Sequence, residues 1–283
     1  EEALLYIIKN YTYEAGVRKL KERALEIIRQ INLEFIQNEN TQHTNLFSAK
    51  KVISLDYVQD FFKEKAKMEV KKIGPVPQVG LVNGLFATAS GMGGITIIEA
   101  FKTPNDTKLA LTITGQQGDV MKESITCAKT IAWNIVPTNI KKTILKEIKE
   151  ETIEPFGIHI HCPEAATPKD GPSAGAAITL AIVSLLTKIP VDNTVAMTGE
   201  IDLNGHVHTI GGLELKIDGG KYAGVKKILV PEGNRQDLEI IKLKNPSVLE
   251  DIEIVVIDTI WQVLEHSLVM NDEQKKHKFN LLN

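Results

Sequence analysis

Thr167-Pro-Lys-Asp-Gly-Pro-Ser-Ala-Gly-Ala-Ala177 runs without a break into the apolar stretch Ile178 to Leu186. One hydroxyl, Ser173, lies between a stiff Gly171-Pro172 pair and a run of very small residues. The apolar continuation is too long for a typical buried strand and reads as a core helix. Ser173 therefore falls at a helix N-terminus, where free backbone N–H groups and the positive end of the helix dipole favour developing negative charge. A serine nucleophile needs that environment, as does a bound phosphate or a simply capped helix.

Outward from this segment the chain alternates strand and helix patterns. Towards the N-terminus, Gly157 to Cys162 and Leu109 to Thr114 read as strands, with a helix between them from Gly118 whose apolar side is Val120, Ile125, Ala128, Ile131 and Ile135. Val79 to Thr88 and Gly94 to Phe101 read as strands joined by the Gly91-Met-Gly-Gly94 turn. On the other side, Thr194 to Leu203 and His206 to Ile210 flank Asn204-Gly205, the signature of a two-residue type I′ hairpin. Leu213 to Ala223 is a helix, Lys227 to Pro231 a strand, Asp237 to Lys242 a helix, Ile252 to Ile257 a strand, and a last helix runs to about Val269. Hairpins mixed with strand–helix alternation predict an α/β (α+β) fold on a mixed sheet.

The first part of the chain has another texture. Ala3 to Tyr11 reads as a short helix. After Thr12, taken as an N-cap, Val17, Leu20, Ala24, Ile27 and Ile31 recur at helical spacing to about Gln37. Residues 38–50 are polar, rich in Asn and without periodicity, which predicts a linker or disordered insertion. Ser54 to Lys65 is a further short helix. A start at Glu1-Glu2-Ala3 without Met predicts a piece of a longer protein, and these residues resemble neither a signal peptide nor a basic transit sequence.

Composition narrows the function classes. With 283 residues and a net charge of −3, the chain has no whole-molecule field favouring nucleic acid or an anionic membrane. DNA binding is unsupported, and no run of eighteen apolar residues is present to span a bilayer. Cys127 and Cys162 offer no disulfide framework and read as free thiols.

A serine hydroxyl attacks only when a base accepts its proton. His159 with His161, and His206 with His208, have i, i+2 spacing but lack a triad signature and the partners of a metal site, so they read as structural or exposed; no metal is expected. A lysine base must be neutral, which requires burial among apolar groups. Lys216 fits, in Ile210-Gly-Gly-Leu-Glu-Leu-Lys-Ile217, where a Gly-Gly turn opens a helix and Leu213 and Ile217 flank it. On spacing alone a solvated helix lysine is the stronger reading of Lys216, since isolated lysines are usually exposed.

Several separated blocks resemble one family, the Lon proteases, ATP-dependent serine proteases with a Ser–Lys dyad. Pro168-Lys-Asp-Gly-Pro-Ser-Ala-Gly175 is similar to their nucleophile motif. Ala196-Met-Thr-Gly-Glu-Ile201 and Ile210-Gly-Gly-Leu-Glu-Leu-Lys216 are similar to the next two blocks, and Thr114-Gly-Gln-Gln-Gly-Asp-Val-Met-Lys-Glu-Ser124 to a further one. Glu14-Ala-Gly-Val-Arg18 resembles part of the helical subdomain of the ATPase module. Departures are Glu214-Leu215, where many relatives carry Lys-Glu, and Thr209, where proline is frequent.

The resemblance implies a mixed-sheet proteolytic domain over residues 71–270, with the end of an AAA+ lid subdomain at 1–37, an Asn-rich linker and short helix at 38–70, and a tail at 271–283. Ser173 is then the nucleophile and Lys216 its general base, with Thr198 hydrogen-bonded near the lysine. The oxyanion donors are the N–H of Ser173 and that of Asp170 or Gly171, since Pro172 has none. Asp170 either caps the serine helix or gates the site by pairing with a cation. Glu164, Lys169 and Glu200 shape the rim or the fold. Arg18 matches a nucleotide-sensing arginine of the complete ATPase, but Gly-x-x-x-x-Gly-Lys-Ser/Thr occurs nowhere in the chain. No cofactor is therefore expected in this segment, and ATP with Mg in the full-length protein. The implied partners are unfolded protein or peptide substrates and copies of the same chain in a hexameric ring. The implied compartment is the mitochondrial matrix, or alternatively the bacterial cytoplasm. The competing reading is a non-proteolytic domain of the same type that binds nucleotide phosphate.

Overall fold

The computed structural model describes residues 1–12, 14, 16–39, 52–67, 71–88, 91–151, 153–163 and 170–270. Most of the Asn-rich stretch, Glu164, Lys169 and the tail at 271–283 lie outside the described residues. The chain divides into two compact units, Glu1–Val70 with Thr88–Met92, and Lys71–Ala87 with Gly93–Asn283.

The first unit is helical. Helix α1, Glu2–Ile7, continues into a single π turn at Ile8–Thr12, followed by α2, Arg18–Glu39, and α3, Leu55–Phe61. Its core is Ile7, Tyr11, Ile27, Ile31, Val58 and Phe62, with the Tyr11 and Phe62 rings 4.8 Å apart. The helical stripe expected for α2 buries Ile27 and Ile31 but leaves Val17 exposed. Thr12 does not cap this helix. Its hydroxyl donates back to the Ile8 carbonyl at 3.0 Å, and the Glu14 carboxylate accepts the N–H groups of Lys19 and Leu20 instead. Ser54 does cap α3, accepting from the Tyr57 N–H at 3.2 Å.

The second unit is built on a seven-stranded mixed sheet in the order β3-β4-β2-β1-β5-β8-β9. The strands are β1 Leu81–Ala87, β2 Gly93–Pro104, β3 Leu111–Thr114, β4 Phe156–His161, β5 Val195–Met197, β8 Lys227–Pro231 and β9 Glu253–Ile257; β6, Glu200–Ile201, and β7, Val207–His208, form a separate hairpin. Antiparallel pairing joins β1 to β2 and β2 to β4, and the other four pairs are parallel. Helices α4, Asp119–Ile135, α6, Gly175–Thr187, α7, Leu213–Ala223, α8, Arg235–Lys244, and α9, Ile260–Ser267, connect them.

Alternation along the strands divides the core. Val195 and Met197 of β5 and Leu229 of β8 pack with α4, α6 and α9, while Ala196, Ile228 and Val230 pack with α7 and α8. Residues one apart in a strand face opposite ways, so the two clusters lie on the two faces of the sheet. Helix α6 is buried almost all round, as its uniformly apolar sequence demands.

Three details depart from the sequence reading. No element is expected between Ile135 and Gly157, yet α5, Thr138–Lys149, lies there and buries Ile144 and Ile148. In α4, Val120 is exposed and Met121 faces the core. The hairpin also differs from the two-residue type I′ form. Asp202 Oδ1 accepts the N–H groups of Asn204 and His206, and Gly205 takes a φ of +87° while Asn204 does not enter the left-handed region. The aspartate thus draws the turn into a longer loop in which one left-handed residue suffices. Cys127 is half-buried and Cys162 buried.

Candidate active site

Ser173 lies half-buried in a single 3-10 turn, Pro172–Ala174, immediately before α6. Pro172 opens the turn, where a missing N–H costs nothing. The serine's own carbonyl is engaged twice. Ser173 O accepts from the Gly199 N–H at 2.8 Å and from the Thr198 hydroxyl at 3.4 Å. Ala176 N–H donates to Gly199 O at 3.1 Å, so Gly199 grips the turn on both sides. These bonds explain why the strand expected from Thr194 to Leu203 breaks after Met197: the backbone of Thr198 and Gly199 turns from the sheet to the serine segment. Glycine is needed there, because a Cβ on Gly199 would lie 2.2 Å from Val207 Cγ1.

Lys216 comes from α7. Its side chain is 4% exposed, and Nζ donates to Thr198 Oγ1 at 3.0 Å. Burial pushes its pKa down to about 8. The helix carrying it lies directly on β2. A Cβ on Gly93 would sit 1.7 Å from Leu215 O, and one on Gly219 would sit 2.1 Å from Gly93 C. Two glycines thus let the helix and strand backbones meet. Gly93, read as part of a turn, is in fact the first residue of β2.

The structure joins the two expected dyad residues through Thr198. The single hydroxyl proton of Thr198 goes to Ser173 O, so the oxygen lone pair receives the lysine N–H. A neutral Lys216 keeps its own lone pair free of this contact. Thr198 itself is fully buried.

Asp170 caps a helix, but not the one that follows it. Its Oδ1 accepts the Met121 N–H at 3.1 Å, at the third position of α4. Helix α4 begins after Gly118, which has no side chain to supply a cap, and a Cβ on Gly118 would lie 2.3 Å from Asp170 Cγ. The glycine makes room for the carboxylate that replaces its missing cap. Gly171 is extended, with φ 166°, and leads into the turn. Glu200 is exposed on β6 opposite His208.

Ser124 was not foreseen as a site residue. It is buried on α4 and donates to Pro172 O at 3.3 Å. Its signal in the sequence was its place at the end of the Thr114–Ser124 block, a serine in an otherwise apolar helix face. The histidines are engaged elsewhere: His159 and His161 both meet the Thr114 hydroxyl, and His208 pairs with Asp202 at 3.0 Å. Among the described residues no cluster of three His, Cys, Asp or Glu side chains is placed to hold a metal, and no helix is long and apolar enough to cross a membrane. Arg18, the first residue of α2, is 89% exposed and pairs with Glu22 at 3.3 Å.

Comparison with known proteins fits this arrangement. Residues 52–270 match the family model of the Lon protease (S16) C-terminal proteolytic domain, and residues 1–44 match that of the Lon protease AAA+ ATPase lid domain. The class is a serine peptidase domain carried in one chain with an ATPase lid. A Lon protease homolog of Acanthamoeba polyphaga mimivirus is 34% identical over 96% of this chain and 31% of its own length. Lon proteases of Lachnoclostridium phytofermentans and Rickettsia conorii are 37% and 38% identical over 95% of this chain, and 35% and 32% of their own lengths. The chain belongs to the Lon protease family, and it spans about a third of the length of these relatives.

Proposed function

We propose that this chain is the peptide-cleaving part of an ATP-dependent serine endopeptidase, with Ser173 as nucleophile and Lys216 as general base. The observation that carries the reading is the buried Lys216 amine, depressed to about 8 and bonded to the same threonine that holds Ser173.

Neutral Lys216 takes the Ser173 hydroxyl proton as Oγ bonds to the substrate carbonyl carbon, and the carbonyl electrons move onto oxygen. The Ser173 N–H, with that of Asp170 or Gly171, stabilises this oxyanion. Collapse expels the amine, which leaves with the proton held by Lys216. Water then adds to the acyl-enzyme, giving its proton to Lys216, and the proton returns to Ser173 as the acid departs. Thr198 keeps the amine oriented throughout.

The lid residues imply nucleotide chemistry outside this chain. The exposed Arg18 guanidinium suits contact with a phosphate of bound ATP–Mg, while the phosphate-cradling loop sequence is absent from these residues. In the whole protein, nucleotide hydrolysis would supply the work of unfolding, and six copies would enclose the sites in a ring fed with unfolded protein. The Asn-rich insertion supports a mitochondrial matrix enzyme, and the bacterial relatives support a cytoplasmic one.

Labelling by a serine-directed fluorophosphonate, located by peptide mass analysis, tests the reading together with hydrolysis of an unfolded substrate. Ser173 labelling and cleavage, both lost in Ser173→Ala and with cleavage lost in Lys216→Met, are expected. Nucleotide binding by this chain without Ser173 labelling would favour the phosphate-binding alternative.

A further inference from the structure

Pro172 and Ser173 share one peptide plane. The carbonyl of that plane belongs to Pro172 and the N–H to Ser173. In a trans peptide the two point in opposite directions, and the described residues contain no cis bond. Whatever fixes Pro172 O therefore also aims the Ser173 N–H.

Pro172 O has two donors. One is the Gly175 N–H, the bond that closes the 3-10 turn. The other is the Ser124 hydroxyl, reaching across from α4 at 3.3 Å. The second bond is not needed to satisfy the carbonyl, nor does helix α4 require it. A serine inside a helix commonly donates to the carbonyl four residues earlier; here it turns outward to the nucleophile turn. Met121, Ser124, Ile125, Ala128, Ile131 and Ala132 form the buried side of α4, and Ser124 is the one polar member. Gly175 permits the approach, since a Cβ there would lie 3.0 Å from Ser124 Oγ. The start of α4 is tied to the same loop through Asp170 and the Met121 N–H. Ser124 thus stands on a helix tied twice to the loop that leads into Ser173, at Asp170 and at Pro172.

We propose that Ser124 is a positioning residue for the oxyanion site: by holding Pro172 O, it aims the Ser173 N–H at the substrate oxygen. A donor to the carbonyl of a peptide also polarises its N–H, which strengthens the bond that N–H makes to developing charge. Ser124 touches neither substrate nor base. Its effect falls on the transition state, where the oxyanion forms, and not on ground-state binding. The proposal rests on the reading of Ser173 as the nucleophile.

The test is steady-state hydrolysis of a fluorogenic peptide by the parent chain and by Ser124→Ala, Ser124→Thr and Ser124→Cys. Deleting a whole oxyanion donor costs on the order of 10²–10³ in kcat; misaiming one is expected to cost about tenfold. In Ser124→Ala, kcat is expected to fall by that amount while KM and the pH midpoint stay at parental values. Ser124→Thr, which keeps the hydroxyl, is expected to recover most of the loss. A parental kcat in Ser124→Ala overturns the proposal, as does a loss appearing equally in KM and kcat or a shifted pH midpoint. Should the alanine variant fail to fold, Ser124→Cys decides, because its weak S–H donor fills nearly the same space: an intermediate kcat supports the proposal and a parental one overturns it. Failure of the underlying reading looks different, since the fluorophosphonate would then leave Ser173 unlabelled in the parent itself.

Discussion

Replacing Lys216 by methionine is expected to destroy hydrolysis and at the same time to stabilise the fold at neutral pH. Lys216 is 4% exposed, and burial takes its pKa from the ordinary 10.5 down to about 8. At about 1.4 kcal/mol per pH unit, the folded state disfavours the ammonium form by about 3 kcal/mol. In the unfolded chain the group stays protonated up to its ordinary value. Between pH 8 and 10.5 the unfolded state therefore binds the extra proton, and stability from this group rises with pH; below 8 the full penalty is present. Methionine fills similar volume without the charge. It forfeits the bond to Thr198, worth about 1 kcal/mol, so the net gain at pH 7 is about 2 kcal/mol. For a chain of this size that corresponds to roughly 4–8 °C in Tm. The assay is thermal or urea unfolding of parent and Lys216→Met from pH 6 to 10.5, taken as a difference so that other titrations cancel. The variant's advantage should shrink steadily above pH 8, vanish at about pH 10 and then reverse, as the lost bond of about 1 kcal/mol comes to dominate. A variant less stable than the parent at pH 7, or a difference flat across this range, would refute the buried-amine reasoning.

The same amine sets the rate profile: kcat/KM for a peptide is expected to rise about tenfold from pH 7 to a plateau above 9, with its midpoint near 8. Thr198→Val removes an acceptor that favours the ammonium form, so a pH–rate titration should place the midpoint below 8, with kcat down by about tenfold or more because the amine loses its guide. Gly118→Ala would push a methyl group into the Asp170 carboxyl and should cost about 1–2 kcal/mol through the lost α4 cap. A double-mutant cycle with Asp170→Ala should show that the two losses overlap and do not add.

How much of this was legible beforehand follows from the kind of signal each element sends. The mixed sheet, the apolar helix after Ser173 and the helix at Leu213–Ala223 were readable, because period-2 and period-3.6 patterns report directly on burial. Helix α5 was passed over although Ile140, Ile144 and Ile148 recur every four residues. The many Lys residues among them made the segment look like a polar connection. Ser173 and Lys216 were singled out by local context and family resemblance, with burial of the lysine as the condition for a base; the packing of its helix was not legible, since two glycines far apart in sequence, Gly93 and Gly219, let helix and strand backbones meet. Asp170 shows the same limit. The preference of aspartate for helix caps was read correctly, but which helix it would cap was a matter of tertiary proximity. The hairpin was legible but its turn type was not, for the opposite reason: a single side chain, Asp202, overrode the preference of the Asn-Gly pair.

The burial of α6 on nearly all sides has a consequence for how the site can move. Its amides lie beyond the reach of local fraying, so they should exchange with solvent deuterium only when the whole unit opens. Ser173 is anchored at the end of that slowest-exchanging segment, while the hairpin Glu200–His208 beside it lies at the surface with its loop exposed. Protection should therefore fall from the nucleophile turn to the exposed loop of that hairpin, while Ile201 and Val207 on its strands stay in the core. Any movement at substrate entry would then fall on that loop, with the reacting oxygen staying in register from one turnover to the next.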